Sequence, residues 1–414
     1  MKVRYCSPMP PSTSGIADYS ALLVPELQKV MDLEVVSAPG QGTGNDCDVA
    51  LYHVGNNVEA HGWIVDELRR RPGLVVLHES TLHHLVAGMT IVQGDREGYL
   101  DAMQRDAGVV GRLVAHGIID GVLPPVWETR APDFPLTGRI LDSATGVIVH
   151  SQAVEDALRD RGFGGPIYRI PMPAWPELQV EVDEVLRDRS GPVFGAFGHL
   201  NSAKRVPQLV RAFERALERE PTARLLLVGS PSEALDVEAP IERMLAAHPG
   251  SVIRIPYVAE QRLWNLIAGC DVCICLRYPT MGETSGIAIR ALSAGRPLIV
   301  SDVGWFAELP SSVAVRVAPD DDEIEELAAA MVALARDPAR REAMSAAALG
   351  LARGELSLER VVELYRRAII DQAGGDAVRA QVVHDIAVAA HDVGVGMGDE
   401  AGRAVRAGLW DSGL

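Results

Sequence analysis

The sequence predicts an α/β chain folded as two domains, each organised around an open parallel sheet. Three observations carry this. At 414 residues the chain exceeds the size at which one hydrophobic core stops growing. Short apolar runs such as Leu74-Val-Val-Leu77, Val193-Phe-Gly-Ala-Phe197 and Val272-Cys-Ile-Cys275 alternate with stretches of helical periodicity, the pattern of parallel strands covered on both faces. The alternation breaks at Ile170-Pro-Met-Pro-Ala-Trp-Pro176, a stiff proline-dense segment followed by a charged run to Gly191, and then resumes. The expected division is a first domain over 1–172, a linker over 173–190, a second domain over 191–360, and C-terminal helices and tail over 361–414.

Composition bounds the function. Hydrophobic residues make up 48% and charged residues 23%, ordinary for a soluble globular protein, and no run approaches the roughly 20 apolar residues of a membrane span. A net charge of −17 argues against nucleic-acid binding and against broad adhesion to anionic lipid. The N-terminus enters a strand at once, without a signal-peptide pattern, so a cytoplasmic protein is expected. Peripheral membrane contact is not favoured, although Arg69-Arg70-Arg71 reads either as a solvated helix end or as a basic run able to touch lipid. Five cysteines give no disulfide framework, and Cys270, Cys273 and Cys275 lie in an apolar strand where core packing outweighs metal or redox chemistry.

Taken in order, strand Val3 to Cys6 leads through Ser-Pro-Met-Pro-Pro-Ser-Thr-Ser into a helix starting at Gly15 and running to about Met31. This loop is either a plain strand-to-helix turn or a site of close approach for a phosphate or sugar. Strands follow at Leu33–Val36 and Asp48–Tyr52, the latter running into His53. A helix covers Ile64 to Arg71, and the apolar strand from Gly73 ends on His78 and Glu79. The carboxyl end of a parallel strand is where α/β folds place chemistry, which singles out His78 against the alternative of a buried structural histidine. His83 and His84, on the next helix, read as structural or as facing a second substrate. A mainly helical insertion at about 93–140 reads as acceptor recognition or as a structural lid. Strand Gly146 to Val149 then meets His150, and Ser151 caps the helix Gln152–Arg161.

In the second domain, strand Val193–Phe197 leads through Gly198-His199-Leu-Asn-Ser-Ala-Lys204-Arg205 into a helix with its apolar stripe at Val206, Leu209, Val210, Phe213 and Leu217. Lys204 and Arg205 therefore sit at a helix N-terminus, where cations are disfavoured by the macrodipole. They read as an anion site or as a solvated face. Strands Arg224–Val228 and Val252–Ile255 follow, and Tyr257 to Glu260 opens a helix to Ala268. Strand Val272–Leu276 precedes a loop, a helix beginning near Gly286 and strand Pro297–Ser301. Asp320 to Glu323 reads as the solvated acidic start of a helix reaching Arg336. Helix Leu358–Ile370, a stripe at Val378, Val382, Val383, Ile386, Ala390 and Val393, and a loose tail from Gly394 complete the chain.

Glu283-Thr-Ser-Gly286-Ile287, then Arg290-Ala-Leu-Ser-Ala-Gly-Arg-Pro-Leu-Ile-Val-Ser-Asp-Val-Gly304, then Glu308, resembles the donor-site signature of GT4-type retaining glycosyltransferases. The signature's Phe is absent, its spacing is one residue short, and Arg290 stands where it has a second Glu. The loop from Gly198 to Arg205 is similar to the family's Gly-Arg-Leu-x-x-x-Lys-Gly, with His199 in place of the Arg and Arg205 in place of the final Gly. The likeness spans Ser7 to about Ile370. It implies a GT-B fold, two Rossmann-like domains facing a central cleft, and metal-independent transfer of a sugar from a nucleotide-diphosphate donor with retention of configuration. The implied catalytic set is His78, Glu283 and Lys204. The implied donor contacts are Gly15, His199, Lys204, Arg205, Tyr257, Thr284, Ser285, Gly286, Ile287 and Arg290, with Lys204 on the diphosphate and Tyr257 beside the base. No metal or separate cofactor is implied. The acceptor is a small molecule, a lipid-linked sugar or a glycan. A GT-B sugar-nucleotide epimerase, a phosphorylase-like enzyme and a catalytically degenerate binding subunit are the competing readings.

Overall fold

The apolar runs form two parallel sheets in the computed structural model, which describes residues 1–12, 14–41, 47–176, 179–187, 191–230, 235–396 and 398–411. Thr13 of the first loop and residues 177, 178 and 188–190 of the linker lie outside the described residues, as does the side chain of Val378. The chain divides into two compact units, Met1–Ile170 together with Val362–Leu414, and Pro171–Val361.

In the N-terminal unit the strands are β1 (Lys2–Cys6), β2 (Asp32–Val36), β3 (Val49–Val54), β4 (Gly73–Leu77), β5 (Ala144–Val149) and β6 (Ile167–Arg169). They lie in the order β2-β1-β3-β4-β5-β6, every pair parallel. Central β3 and β4 are buried along their whole length, as their apolar sequences require, whereas edge strand β2 is mostly half-exposed. Helices cover the faces, and Ile64, Leu68, Tyr99, Met103 and Leu158 join Val75, Leu77 and Val147 in one core. Between β4 and β5 the insertion contains helices His83–Met89, Arg96–Ile119, Val126–Thr129 and Gly138–Leu141. The long helix breaks at Ala107 and Gly108, where the glycine takes φ +60°.

In the C-terminal unit the strands are β7 (Val193–Phe197), β8 (Arg224–Val228), β9 (Val252–Ile255), β10 (Val272–Cys275), β11 (Leu298–Ser301) and β12 (Ala314–Val317). Their order, β12-β11-β10-β7-β8-β9, is that of a doubly wound dinucleotide-binding sheet, in which the strand order reverses between β7 and β10. The crevice outside the carboxyl ends of those two strands is the ligand position such a topology creates.

β6 and β12 escape the sequence reading because they are edge strands of three and four residues that leave Arg169 and Arg316 at or near solvent, so no apolar run marks them. Two expectations are corrected. The tail from Gly394 is not loose throughout, because Glu400–Asp411 forms a helix. Glu323 is not a solvated helix start: it is 1% exposed and takes the Arg205 guanidinium on both carboxylate oxygens. The helix Leu358–Gln372 carries Tyr365 to the N-terminal unit, where its hydroxyl meets that of Tyr19 at 2.6 Å.

Candidate active site

At the switch point of the C-terminal sheet, Gly198 follows β7 with φ +88°, a left-handed conformation that side chains rarely adopt. A Cβ there would stand 2.5 Å from Lys204 Nζ, so the glycine also makes room for the lysine. Asn201 caps the short turn that follows, its Oδ1 accepting the Lys204 N–H at 3.0 Å. Lys204 thereby folds back to donate from Nζ to the carbonyl of Phe197 at 2.9 Å. Burial lowers its pKa to about 8, helped by the Arg277 guanidinium and opposed by Cys275 and Glu283. Two of the three ammonium donors remain for a ligand. Lys204, Arg277, Ser285 and Ile287 line one pocket.

Across that pocket, Ser285 caps the helix Gly286–Ser293 by accepting the Ala288 N–H at 3.2 Å. The N–H groups of Gly286 and Ile287 are left at the open end of the helix, the partial positive pole of its dipole. A cation and a helix N-terminus thus converge on one crevice, the constellation that holds a phosphate.

The remaining predicted residues divide. Glu283 is in the loop, but its carboxylate accepts the Thr280 hydroxyl at 3.0 Å and the Met281 N–H at 2.7 Å, and Arg277 pairs with it at 2.8 Å. It shapes the loop between β10 and the helix. Thr284 Oγ1 is buried without a hydrogen-bond partner among the described residues. Arg205, expected as a second cation beside Lys204, is committed to Glu323 with its guanidinium 5.7 Å from the centroid of Tyr278. His199 and Tyr257 are exposed on their loops, Tyr257 at 76%. Arg290 is 6% exposed and lies 4.1 Å over the Trp175 ring, 5.9 Å from that of Trp264, and 3.3 Å from Glu260. It fastens the segment carrying Trp175 to its own unit.

At the carboxyl edge of the N-terminal sheet, Ser14 caps the first helix through the Ile16 N–H, and Gly15 is exposed with open space around it. His78 follows β4, partly exposed, and is not alone. His53 Nδ1 stands 3.0 Å from His78 Nε2, the His150 ring centroid is 5.0 Å from that of His78, and Tyr19 meets His78 edge-on at 5.0 Å. Burial pushes all three histidines well below the usual imidazole range, with His150 at about 4, and their mutual repulsion adds to this for His53 and His78. His53 and His150 went unselected in the sequence, although the signal was present: three apolar runs each end on, or one residue from, a histidine. His83 is a structural residue, its ring nitrogens bonded to the Phe134 carbonyl at 2.6 Å and the Tyr99 hydroxyl at 2.9 Å. Arg69 and Arg70 pair with Asp66 and Glu67 on their own helix.

Residues 191–337 match the family model described as Glycosyl transferases group 1. Among curated proteins, the D-inositol 3-phosphate glycosyltransferase of Rhodococcus opacus is 29% identical over 185 residues, which cover 42% of this chain and 40% of that protein. The chain thus spans about two-fifths of the length of that relative. Among solved structures, sucrose-phosphate synthase from Thermosynechococcus elongatus superposes with TM-score 0.61 at 18% identity, covering 89% of this chain and 99% of that one. The Anabaena HepE protein in complex with UDP gives 0.59 at 15%, covering 90% and 100%. Both show the fold, and with the family match they agree with the resemblance read from the sequence. The chain has the GT-B fold, and its residues 191–337 match the glycosyl transferase group 1 family model.

Proposed function

We propose that this protein transfers a sugar from a nucleotide-diphosphate donor to an acceptor, with retention of configuration and without a metal. The observation that carries the reading is the convergence of Lys204 Nζ and the open N-terminus of helix Gly286–Ser293 at the switch point of the C-terminal sheet. The donor diphosphate would sit there, and the chemistry demanded of the protein is stabilisation of that leaving group. The complex of HepE with UDP makes uridine the first nucleotide to test. In this reading Thr284, Ser285, Gly286 and Ile287 border the donor and Tyr257 borders its base; in the N-terminal unit, Gly15 and His78 are the proposed sugar-facing residues, His78 as a hydrogen-bond donor to a sugar oxygen. The acceptor is a small molecule, a lipid-linked sugar or a glycan. No helix among the described residues is long and apolar enough to cross a membrane, and a cytoplasmic location fits the proposal.

A binding subunit without turnover is the second reading. It is favoured by the Glu283 carboxylate being taken up by Arg277, Thr280 and the Met281 N–H, and by Arg290 being turned onto Trp175. Incubation with UDP-glucose, UDP-N-acetylglucosamine, GDP-mannose and ADP-glucose over an acceptor panel, with and without EDTA, separates the two. Nucleoside diphosphate release that depends on acceptor, survives EDTA and yields a product of unchanged anomeric configuration by NMR is expected. Nucleotide binding with no release over the whole panel would favour the subunit.

A further inference from the structure

Backbone carbonyls fix the protons of two of the histidines gathered near the carboxyl edge of the N-terminal sheet. His150 Nδ1 lies 2.8 Å from the Ile170 carbonyl, and His61 Nδ1 lies 3.0 Å from the His53 carbonyl. A carbonyl only accepts, so both rings carry the proton on Nδ1. Between His53 Nδ1 and His78 Nε2, 3.0 Å apart, there is room for one proton. If His78 Nε2–H donated it, neutral His53 would carry its own proton on Nε2. That nitrogen is buried without a partner among the described residues, and an orphaned buried N–H is the rarer and costlier defect than an orphaned lone pair. The alternative leaves only a lone pair there.

We propose that His53 Nδ1–H donates to His78 Nε2, which makes His78 the Nδ1–H tautomer and leaves that N–H as a donor to an oxygen of a bound ligand. His53 is then a positioning residue: it touches no ligand but decides whether His78 offers a proton or a lone pair. Tyr5, with its ring centroid 4.4 Å from that of His53, and Tyr19, edge-on to His78, hold the two rings in place. The ligand class follows from the donor: an oxygen acceptor such as a sugar hydroxyl. That last step rests on the function proposed above, whereas the tautomer does not.

The test is two-bond proton–nitrogen NMR of the ligand-free, ¹⁵N-histidine-labelled full chain, with His53→Asn and His53→Asp as near-isosteric variants. The proposal expects a pyrrole-type Nδ1 and a pyridine-type Nε2 on His78 in the wild type. His53→Asn can present an amide N–H in place of Nδ1–H and should keep the pattern, whereas His53→Asp can only accept and should move the His78 proton to Nε2. With whichever of the four nucleotide sugars binds the wild type, His53→Asp should lose roughly tenfold in affinity and His53→Asn much less. A wild-type His78 protonated on Nε2, or His53→Asp binding as tightly as His53→Asn, would overturn the proposal. A wild type with the expected pattern that binds none of the sugars would instead overturn the function proposed above.

Discussion

Lowering the pH from 7 to 5 should destabilise the N-terminal unit selectively. Burial pushes His61, His83 and His150 down to about 4 in the folded protein, against about 6.5 in an unfolded chain. The folded state therefore resists a proton that the unfolded state accepts. The stability these groups contribute is complete above pH 6.5 and is lost as pH falls toward 4. Each pH unit in that window costs about 1.4 kcal/mol per group, so at pH 5 each histidine has given up about 2 kcal/mol and the three together about 6. That is comparable to the total stability of a domain, roughly 5–15 kcal/mol. His53 and His78 shift in the same direction and deepen the effect. In the C-terminal unit Lys204 and Asp183 titrate outside this window, with Lys204 at about 8 and Asp183 below its ordinary carboxylate value. Hydrogen–deuterium exchange at the two pH values, corrected for intrinsic rates, reads both units in one sample. Peptides from β3, β4 and β5 should lose several kcal/mol of opening free energy, while those from β7, β10 and β11 change little. Equal protection of the first set at both pH values would mean that these histidines do not resist protonation in the folded unit.

Further outcomes follow from the C-terminal unit. Arg205→Ala should destabilise it by roughly 3–5 kcal/mol in urea unfolding because Glu323 is left buried and unpaired, and Arg205→Met combined with Glu323→Leu should recover most of the loss. Gly198→Ala places a Cβ 2.5 Å from Lys204 Nζ in a left-handed backbone, so nucleotide affinity by calorimetry should fall by roughly tenfold or more while the protein still folds. Nucleotide affinity should also fall with rising pH. A bound diphosphate raises the Lys204 pKa above its free value of about 8, so affinity is complete below that pH and declines above it, by up to about tenfold per unit. A flat profile from pH 7 to 9 would remove Lys204 from the site.

The central strands were legible because burial on both faces demands unbroken apolar runs, and the Lys204 loop because its cation falls at a helix N-terminus. What stayed hidden depends on which elements become neighbours. The Arg205–Glu323 pair joins residues 118 apart, and nothing local marks Glu323 as different from the exposed acids before it. Glu283 carried the donor motif, but its engagement by Arg277 depends on how the loop after β10 closes. His53, His78 and His150 become a cluster only because β3, β4 and β5 lie side by side, an order that sequence periodicity does not contain.

Isothermal titration with UDP, GDP, ADP and dTDP, repeated on Lys204→Ala, asks whether the Lys204 crevice holds a nucleoside diphosphate. One nucleotide should bind in preference, and the variant should weaken it by roughly tenfold or more, the loss of a charge-assisted contact to phosphate. Binding of none of the four, or equal binding by the variant, would contradict the assignment of this crevice to a nucleotide-diphosphate donor.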